Sequence, residues 1–543
     1  MSEIHNIAEG FIAPLTEIYL FESDIVNSEM HLAREFSVAW TREEMIEYQI
    51  REGIPQDLAN ECITYLLESD RLVVLDAGTD EEKYRTETAE LVRLSSFNYQ
   101  RFAKRYGMKP TQSGLTWSIE RKETPIRSVD ISNVQHFLKE AAKESNYYSN
   151  SLGQAIDLVL GAFAASIGTG AKLSDFQHRS IEQTLSNILG EEESNVAIVA
   201  GTGSGKSYGF QIGTLIAIVN EILSGTSQGP HSIFLYPRVA LMLDQKNALT
   251  KENGLIPKIN EFLAAFDKEL RYVVDGGSQL KKTEYQRITS QDEEPRNITV
   301  ACRDVYSSED NYPHLIFANP DTITYRLTNR DFSNSAMQRV KNIVFDEVHL
   351  LRNVAGANTA GVLRRMINLS DHDVNFIACS ATISEPEEHI GKIVENHKPV
   401  VVINPFDDEM EQTGIVHHVF HKSVEGSSFS TNLTNLTSLI THGRRRRSIN
   451  SPSLKHRHKT LGFADALHML GTWEYQLMDN EGLILTKVQR RKMNRGDPAA
   501  DLKPKPQPLP YRFNRPLVNY AKHNHPEKMN EYTKHCDNCV RNI

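Results

Sequence analysis

One short stretch of the chain, residues 200–207, has the residue types that bind phosphate. It reads Ala-Gly-Thr-Gly-Ser-Gly-Lys-Ser, and loops of this kind usually open with Gly where Ala200 stands. Glycines let backbone N–H groups turn towards phosphate oxygens, Lys206 can reach the β- and γ-phosphates, and the Ser207 hydroxyl can ligate Mg²⁺. An apolar run precedes the stretch and a helical pattern follows it, which favours a phosphate-binding loop over a Gly/Ser-rich linker. The expected nucleotide-binding residues are Gly201, Thr202, Gly203, Ser204, Gly205, Lys206 and Ser207.

A pair of carboxylates, Asp346 and Glu347, follows another apolar run. A carboxylate that leaves a buried strand beside a phosphate-binding loop can hold Mg²⁺, and a second one next to it can orient and deprotonate the attacking water. We therefore assign Asp346 to the metal together with Ser207, and Glu347 to the general base that acts with Lys206. An isolated acidic pair in this position is also typical of a helix N-terminus, where it interacts favourably with the helix dipole.

The elements that must position these residues lie between residues 172 and 401, where apolar runs alternate with helical stretches. The runs that we predict to be strands are 195–200, 232–236, 272–274, 315–318, 342–345 and 375–379. This alternation predicts an α/β fold in which a parallel sheet lies between helices. We expect the loop ending in Lys206 and the acidic pair to leave neighbouring strands, with a magnesium-nucleotide between them.

These two clusters are also compatible with a nucleotide kinase or another P-loop ATPase. The sequence Ser-Ala-Thr at residues 380–382 follows the last predicted strand, and with it the chain resembles superfamily 2 helicases of the DEAD/DEAH-box (DExH) type. Residues 346–349 match the Asp-Glu-x-His box of that family. The resemblance implies ATP and Mg²⁺ as cofactors and a RecA-like domain. It also implies that His349, Ser380 and Thr382 couple the nucleotide site to a second motor domain.

Further motifs stand in the order that this family has. Gln177 resembles the glutamine that recognises adenine, residues 237–241 (Pro-Arg-Val-Ala-Leu) resemble the first strand-contacting motif, and residues 319–321 (Asn-Pro-Asp) resemble the next. Loops at the carboxyl ends of parallel strands can hold a nucleic-acid backbone without reading bases. Taken alone, Arg238 is equally compatible with a surface salt bridge. The residues implied to contact nucleic acid are Pro237, Arg238, Asn319 and Asp321.

A narrower resemblance rests on residues 83–87, 319–321, 346–352 and 364–365. These stretches are similar to those of the large bacterial and yeast helicases with a C-terminal cysteine-rich domain, and to phage-defence helicases of the DISARM type. The likeness implies DNA rather than RNA as the nucleic acid. The general family resemblance covers about residues 170–405, with a faint continuation to 475.

Four regions are expected along the chain. Helices at 41–48 and 56–68, a strand at 71–75 and a turn near 80–83 suggest a winged helix, a module that binds DNA in some proteins and only protein domains in others. The regions are a mainly helical accessory region at 1–165 with the winged-helix-like part at about 38–90, a RecA-like domain at 166–405, the start of an incomplete second RecA-like lobe at 406–480, and a basic, poorly structured tail at 481–543.

The second lobe departs from the family pattern. Residues 459–465 resemble its opening strand, but nothing after them resembles the Gln-x-x-Gly-Arg-x-x-Arg motif, and we interpret residues 444–447 as a basic loop. The arginines of that motif stabilise charge on the transferred phosphoryl group, and loss of such an arginine lowers the rate by roughly 10³–10⁵-fold. We expect an incomplete motor, either truncated or completed by a partner chain that supplies the second lobe. The alternative is a nucleotide-gated module that binds nucleic acid or a partner without motor activity.

The charge is uneven along the chain. The net charge is −10, whereas residues 443–543 have 20 Lys+Arg and 9 Asp+Glu, a net of +11. This basic segment could approach a polyanion, or it could be a solvated tail. No apolar run reaches the roughly 18 residues that span a bilayer, and no secretory pattern opens the chain. We therefore expect a cytoplasmic protein that does not interact with membranes.

The five cysteines do not form a disulfide framework. Cys62 and Cys379 lie on a predicted helix and strand, where they are structural. Cys536 and Cys539 have the Cys-x-x-Cys spacing of half a zinc site, and nearby histidines could complete it. The alternative is a pair of exposed cysteines, so zinc binding stays open.

Overall fold

The computed structural model describes residues 10–29, 38–68, 72–75, 82–86, 88–93, 115–145, 147–168, 170–190, 193–276, 312–381 and 383–421. These residues belong to two compact units. One is drawn from Met1–Lys122 and Gln412–Ile543, and the other is Glu123–Glu411. The region boundaries expected after residues 165, 405 and 480 stay predictions.

Helices and strands are numbered here in chain order. The helices are α1 (Ile12–Glu29), α2 (Arg42–Arg51), α3 (Gln56–Glu68), α4 (Ile131–Glu144), α5 (Asn150–Ile167), α6 (Asp175–Leu189), α7 (Lys206–Ser224), α8 (Val239–Thr250), α9 (Leu255–Leu263), α10 (Pro320–Arg326), α11 (Asn353–Leu369) and α12 (Pro386–Val394). The strands are β1 (Leu72–Leu75), β2 (Lys83–Thr86), β3 (Leu115–Pro125), β4 (Arg127–Asp130), β5 (Lys172–Ser174), β6 (Asn195–Val199), β7 (Ser232–Leu235), β8 (Tyr272–Asp275), β9 (Leu315–Ala318), β10 (Asn342–Phe345), β11 (Asn375–Ser380), β12 (Val400–Ile403) and β13 (Met410–His421).

The unit that contains the N-terminal region is helical at first and then has two small sheets. Its helices α1, α2 and α3 share a core that includes Ile18, Met45 and Cys62. The strands β1 and β2 pair in an antiparallel manner, and β3 pairs with β13. The predicted helices and first strand are therefore present, and α2 begins after a capping box formed by Thr41 and Glu44. Any contact of this unit with DNA stays a prediction.

The other unit contains a seven-stranded sheet in the order β12-β6-β11-β10-β7-β9-β8, and every neighbouring pair is parallel. The strands are rich in apolar residues, such as Ile-Phe-Leu in β7, and they are largely buried because both faces of the sheet are covered. At the edge strand β12 only Ile403 is buried, and the three residues before it are half-buried. Since all seven strands point the same way, their carboxyl ends share one edge of the sheet.

Helices cover this sheet on two faces. The connections through α7 (β6 to β7) and through α8 and α9 (β7 to β8) lead across the sheet towards the edge formed by β8. The connections through α10 (β9 to β10), α11 (β10 to β11) and α12 (β11 to β12) lead towards the opposite edge, formed by β12. Right-handed crossovers that move in opposite directions lie on opposite faces. The predicted α/β class is confirmed, and so are all six predicted strands. The seventh strand, β12, is an addition that the sequence patterns did not predict.

Among the described helices, α5 is the one whose length and composition would allow it to cross a membrane. Its side chains Leu152, Ile156, Val159 and Phe163 are buried in the core of its unit, against the same cluster that covers the sheet. These contacts are those of a core helix. The cytoplasmic location stays a prediction.

Several predictions fall outside the described residues. These concern the basic loop at 444–447, the opening strand of the second lobe at 459–465, the tail at 481–543, and the zinc ligands Cys536 and Cys539.

Candidate functional site

The loop at residues 200–207 joins β6 to α7, which begins at Lys206. Gly203 and Gly205 have φ angles of +90° and +76°, the left-handed region in which residues with a Cβ atom are strained. Lys206 is 9% exposed, and the N-terminal end of the 19-residue helix that it begins favours negative charge. The local backbone is therefore shaped for an anion.

The other residues of this loop differ in exposure. Gly201, Thr202 and Gly203 are exposed, and Ser207 is half-buried in the first turn of α7. Ser204 is buried, and its hydroxyl has no hydrogen-bond partner among the described residues. Because buried hydroxyls nearly always have a partner, this one fits a ligand that brings an acceptor such as a phosphate oxygen.

Gln177 lies directly against this loop. Its Nε2 group donates to the carbonyl oxygens of Ser204 and Gly205 at 3.3 and 3.1 Å. Its Oε1 atom accepts from the N–H of Ser174 at 3.0 Å, which completes the capping box at the start of α6. The side chain thus holds the loop to α6. Recognition of adenine by Gln177 stays a prediction.

The acidic pair follows β10 at the same edge of the sheet. Glu347 Oε1 lies 3.6 Å from Lys206 Nζ, so the two groups predicted to handle phosphate and water are in contact. Their strands are not neighbours, because β11 lies between β6 and β10. The prediction of neighbouring strands was therefore wrong, whereas the predicted proximity of the two clusters is observed. Glu347 has a φ of +55°, and its N–H donates to Asp346 Oδ1 at 2.9 Å.

Asp346 is 3% exposed. Burial, and then the neighbouring Glu347 carboxylate, raise the pKa of Asp346 to about 6, although Lys206 acts in the opposite direction. A buried carboxylate with this environment is suited to a cation. No group of three or more His, Cys, Asp or Glu side chains within the described ranges could hold a metal by itself. A magnesium ion here would therefore use Asp346, Ser207, the nucleotide and water, as such ions commonly do.

His349 and Ser380 connect the acidic pair to β11. The Nδ1 atom of His349 lies 3.2 Å from Glu347 Oε2 and 3.2 Å from Ser380 Oγ. The carbonyl oxygen of Ser380 accepts from the N–H of Ala200, at the beginning of the phosphate-binding loop. A continuous path of polar contacts therefore joins the loop, the acidic pair and the end of β11. Thr382 lies outside the described residues.

The residues implied to contact nucleic acid lie at the carboxyl ends of β7 and β9. Arg238 is exposed and precedes α8, and Pro237 beside it is half-buried. Asn319 is buried and caps α10 by accepting from the N–H of Thr322 at 2.8 Å, whereas Asp321 is exposed. The Asn319 side chain is thus engaged within the protein. Contact of all four residues with nucleic acid stays a prediction.

Two features at this edge of the sheet were not found from the sequence. Tyr236, which follows β7, is fully buried, and Asp275 and Arg326 form a buried ion pair with two hydrogen bonds of 2.7 and 3.1 Å. No motif marks these residues, because their importance depends on which strands lie side by side. Cys379 is buried on β11 and Cys62 on α3, as predicted.

Known proteins share parts of this sequence. The family model of DEAD/DEAH box helicases matches residues 174–390. The ATP-dependent helicase hrq1 of Schizosaccharomyces pombe is 25% identical over 324 residues, which are 54% of this chain and 27% of hrq1. The Druantia protein DruE of Escherichia coli is 35% identical over 89 residues, 15% of this chain and 4% of DruE. The solved structure of the DUF1998 helicase MrfA bound to DNA and AMPPNP has a TM-score of 0.41 and 17% identity, and covers 70% of this chain and 44% of MrfA.

This chain spans about a quarter of the length of hrq1. The segment that the DEAD/DEAH box family model matches begins at Ser174, which caps α6, and ends at Ile390 on α12. It therefore includes the phosphate-binding loop, the acidic pair and Ser380. This chain therefore contains a DEAD/DEAH box helicase domain.

Proposed function

We propose that this chain is the ATP-binding half of a nucleic-acid helicase or translocase, and that it hydrolyses ATP with Mg²⁺. The contact of 3.6 Å between Lys206 Nζ and Glu347 Oε1 carries the proposal, because it joins a phosphate-binding loop to a carboxylate that can act on water. DNA is favoured as the nucleic acid by the resemblance of residues 319–321 and 346–352 to helicases of the cysteine-rich class.

Each residue has a role in this proposal. Lys206 and the N–H groups of the loop hold the phosphates, and Ser207 and Asp346 hold the magnesium ion, which neutralises phosphate charge. The Glu347 side chain is 23% exposed. Its Oε2 atom is buried 3.2 Å from His349 Nδ1. As the general base, this carboxylate would accept a proton from a water that attacks the γ-phosphate. His349 and Ser380 transmit the state of this site to β11.

A second candidate is a nucleotide-gated binding module. No stretch of the 543 residues resembles the Gln-x-x-Gly-Arg-x-x-Arg motif. In this version the second lobe is missing, and ATP would control the binding of nucleic acid or of a partner without motor activity.

Steady-state ATP hydrolysis by the full chain, with and without single-stranded DNA, duplex DNA or RNA, tests the proposal. We expect slow turnover that DNA accelerates, and a decrease of at least about 10²-fold in Glu347→Gln, because the general base is removed. Glu387→Gln is the matched control, since it neutralises an exposed carboxylate on α12. If no nucleic acid stimulates turnover, the motor proposal fails and the binding module is favoured. If Glu347→Gln is as active as the wild type, the proposed base is wrong.

A further inference from the structure

Tyr236 stands beside Asp346 at the edge of the sheet. Leu235 is opposite Phe345 in the register of β7 and β10, and the N–H of Asp346 donates to the carbonyl oxygen of Leu235 at 3.0 Å. The next residues along the two chains, Tyr236 and Asp346, are therefore aligned. Aligned residues on neighbouring parallel strands place their side chains on the same side of a sheet.

On its other side Tyr236 is aligned with Asn319. Leu235 is also opposite Ala318 on β9, and the N–H of Tyr236 donates to the carbonyl oxygen of Ala318 at 3.0 Å. Tyr236 thus lies between the residue assigned to magnesium and the residue that caps α10, and Pro237 follows it directly.

The hydroxyl group of Tyr236 is enclosed within the protein. The residue is 0% exposed, and its hydroxyl has no hydrogen-bond partner within the part of the chain that the structure describes. A buried hydroxyl left in this state is unfavourable and rare. A tyrosine hydroxyl is protonated near neutral pH, so this group can donate a hydrogen bond.

We propose that Tyr236 is a positioning residue for the magnesium-nucleotide site, whose hydroxyl donates a hydrogen bond to the Asp346 carboxylate when the nucleotide is bound. This inference rests on the proposed function. Asp346 Oδ1 already accepts from the N–H of Glu347 at 2.9 Å. The tyrosine would hold the carboxylate in the orientation that the metal needs, because carboxylates that bind metals are themselves held by hydrogen bonds.

The substitution Tyr236→Phe removes only the hydroxyl. Binding of a fluorescent ATP analogue to the full chain is measured as a function of Mg²⁺ concentration, together with urea unfolding. We expect Tyr236→Phe to need about tenfold more Mg²⁺ for half-maximal binding, since loss of such a supporting group weakens metal affinity about 10- to 100-fold. Its unfolding midpoint should not decrease, because the hydroxyl has no hydrogen-bond partner among the described residues.

The matched control is Tyr312→Phe, which removes another buried hydroxyl, one that is bonded to Ser335. It should unfold at a lower urea concentration and keep the wild-type dependence on Mg²⁺. The inference is overturned if Tyr236→Phe has the Mg²⁺ dependence of the wild type, or if it weakens nucleotide binding equally with and without Mg²⁺. If the wild type binds no nucleotide at any Mg²⁺ concentration, the proposed function itself fails.

Discussion

At the scale of single residues, the candidate site depends on side chains that contact and position one another. Lys206 contacts Glu347, Glu347 contacts His349, and His349 contacts Ser380. Gln177 fastens the phosphate-binding loop to α6 from the other side. Such prior positioning lowers the reorganisation that binding and reaction require.

Gly205 offers a test at this scale. A Cβ atom added there would lie 2.1 Å from Gln177 Nε2, and the φ of +76° disfavours any side chain. We expect Gly205→Ala to lower the free energy of unfolding by at least about 1–2 kcal/mol, the usual strain of left-handed backbone. It should also weaken nucleotide binding, because Gln177 must leave the loop.

The control for this substitution is Gly361→Ala on α11, where an added Cβ has nothing within 4 Å and the backbone is helical. Helix propensity predicts that it stabilises the protein by about 0.5–1 kcal/mol. Urea unfolding compares the two variants. Equal stabilities would contradict the proposed packing of Gln177 against the loop.

At the scale of elements, the edge of the sheet is braced by the ion pair that joins β8 to α10. The side chains of Asp275 and Arg326 are 0% and 6% exposed. Since α10 follows Asn319, this pair sets the position of a loop that we expect to contact nucleic acid. A buried charge that loses its partner is strongly destabilising.

We therefore expect Arg326→Met to destabilise the protein by about 3–5 kcal/mol, because the Asp275 carboxylate stays buried without this guanidinium. The double variant Asp275→Leu/Arg326→Met should be more stable than Arg326→Met, since it buries two apolar side chains instead. Urea unfolding of the wild type, Arg326→Met and the double variant measures these differences in stability. A double variant that is less stable than Arg326→Met would show that the ion pair is not the main reason for the loss.

Much of the fold can be predicted from the sequence, because its strands are short apolar runs bounded by polar residues. The order of the strands cannot be read in this way, so the insertion of β11 between β6 and β10 was not anticipated. The same limit explains why Lys206 and Glu347 were found from motifs, whereas Tyr236 and the pair of Asp275 and Arg326 were not. Their roles arise only when distant strands are aligned.

At the scale of the whole molecule, two buried histidines tie stability to pH. Burial lowers the pKa of His231 to about 4, although Glu221 acts in the opposite direction, and it lowers the pKa of His314 to about 3. In the unfolded chain both titrate near the ordinary histidine pKa of about 6.5. Between these values the unfolded state binds more protons at these two histidines, so the stability that they contribute is complete above about pH 6.5 and decreases as the pH falls.

Urea unfolding at pH 7.5 and pH 5 measures this effect. We expect a loss of up to about 2 kcal/mol for each of the two histidines at pH 5. His231→Gln should lose less than the wild type over the same interval, whereas His136→Gln, at an exposed position on α4, should not differ from the wild type. The raised pKa values of Glu22 and Asp346 act in the opposite direction in all of these proteins. An equal change in stability for His231→Gln and the wild type would therefore contradict the assignment of His231 as a neutral, buried histidine.

The central claim is that a magnesium-nucleotide binds between Lys206 and the acidic pair. Equilibrium titration of a fluorescent ATP analogue in the presence of Mg²⁺ tests it most directly, with the wild type, Lys206→Ala and Glu347→Gln. We predict that Lys206→Ala weakens binding at least about tenfold, because a charge-assisted contact with phosphate is lost. Glu347→Gln should bind nearly as well as the wild type, since its carboxylate acts on water. Unchanged affinity in Lys206→Ala would contradict the claim.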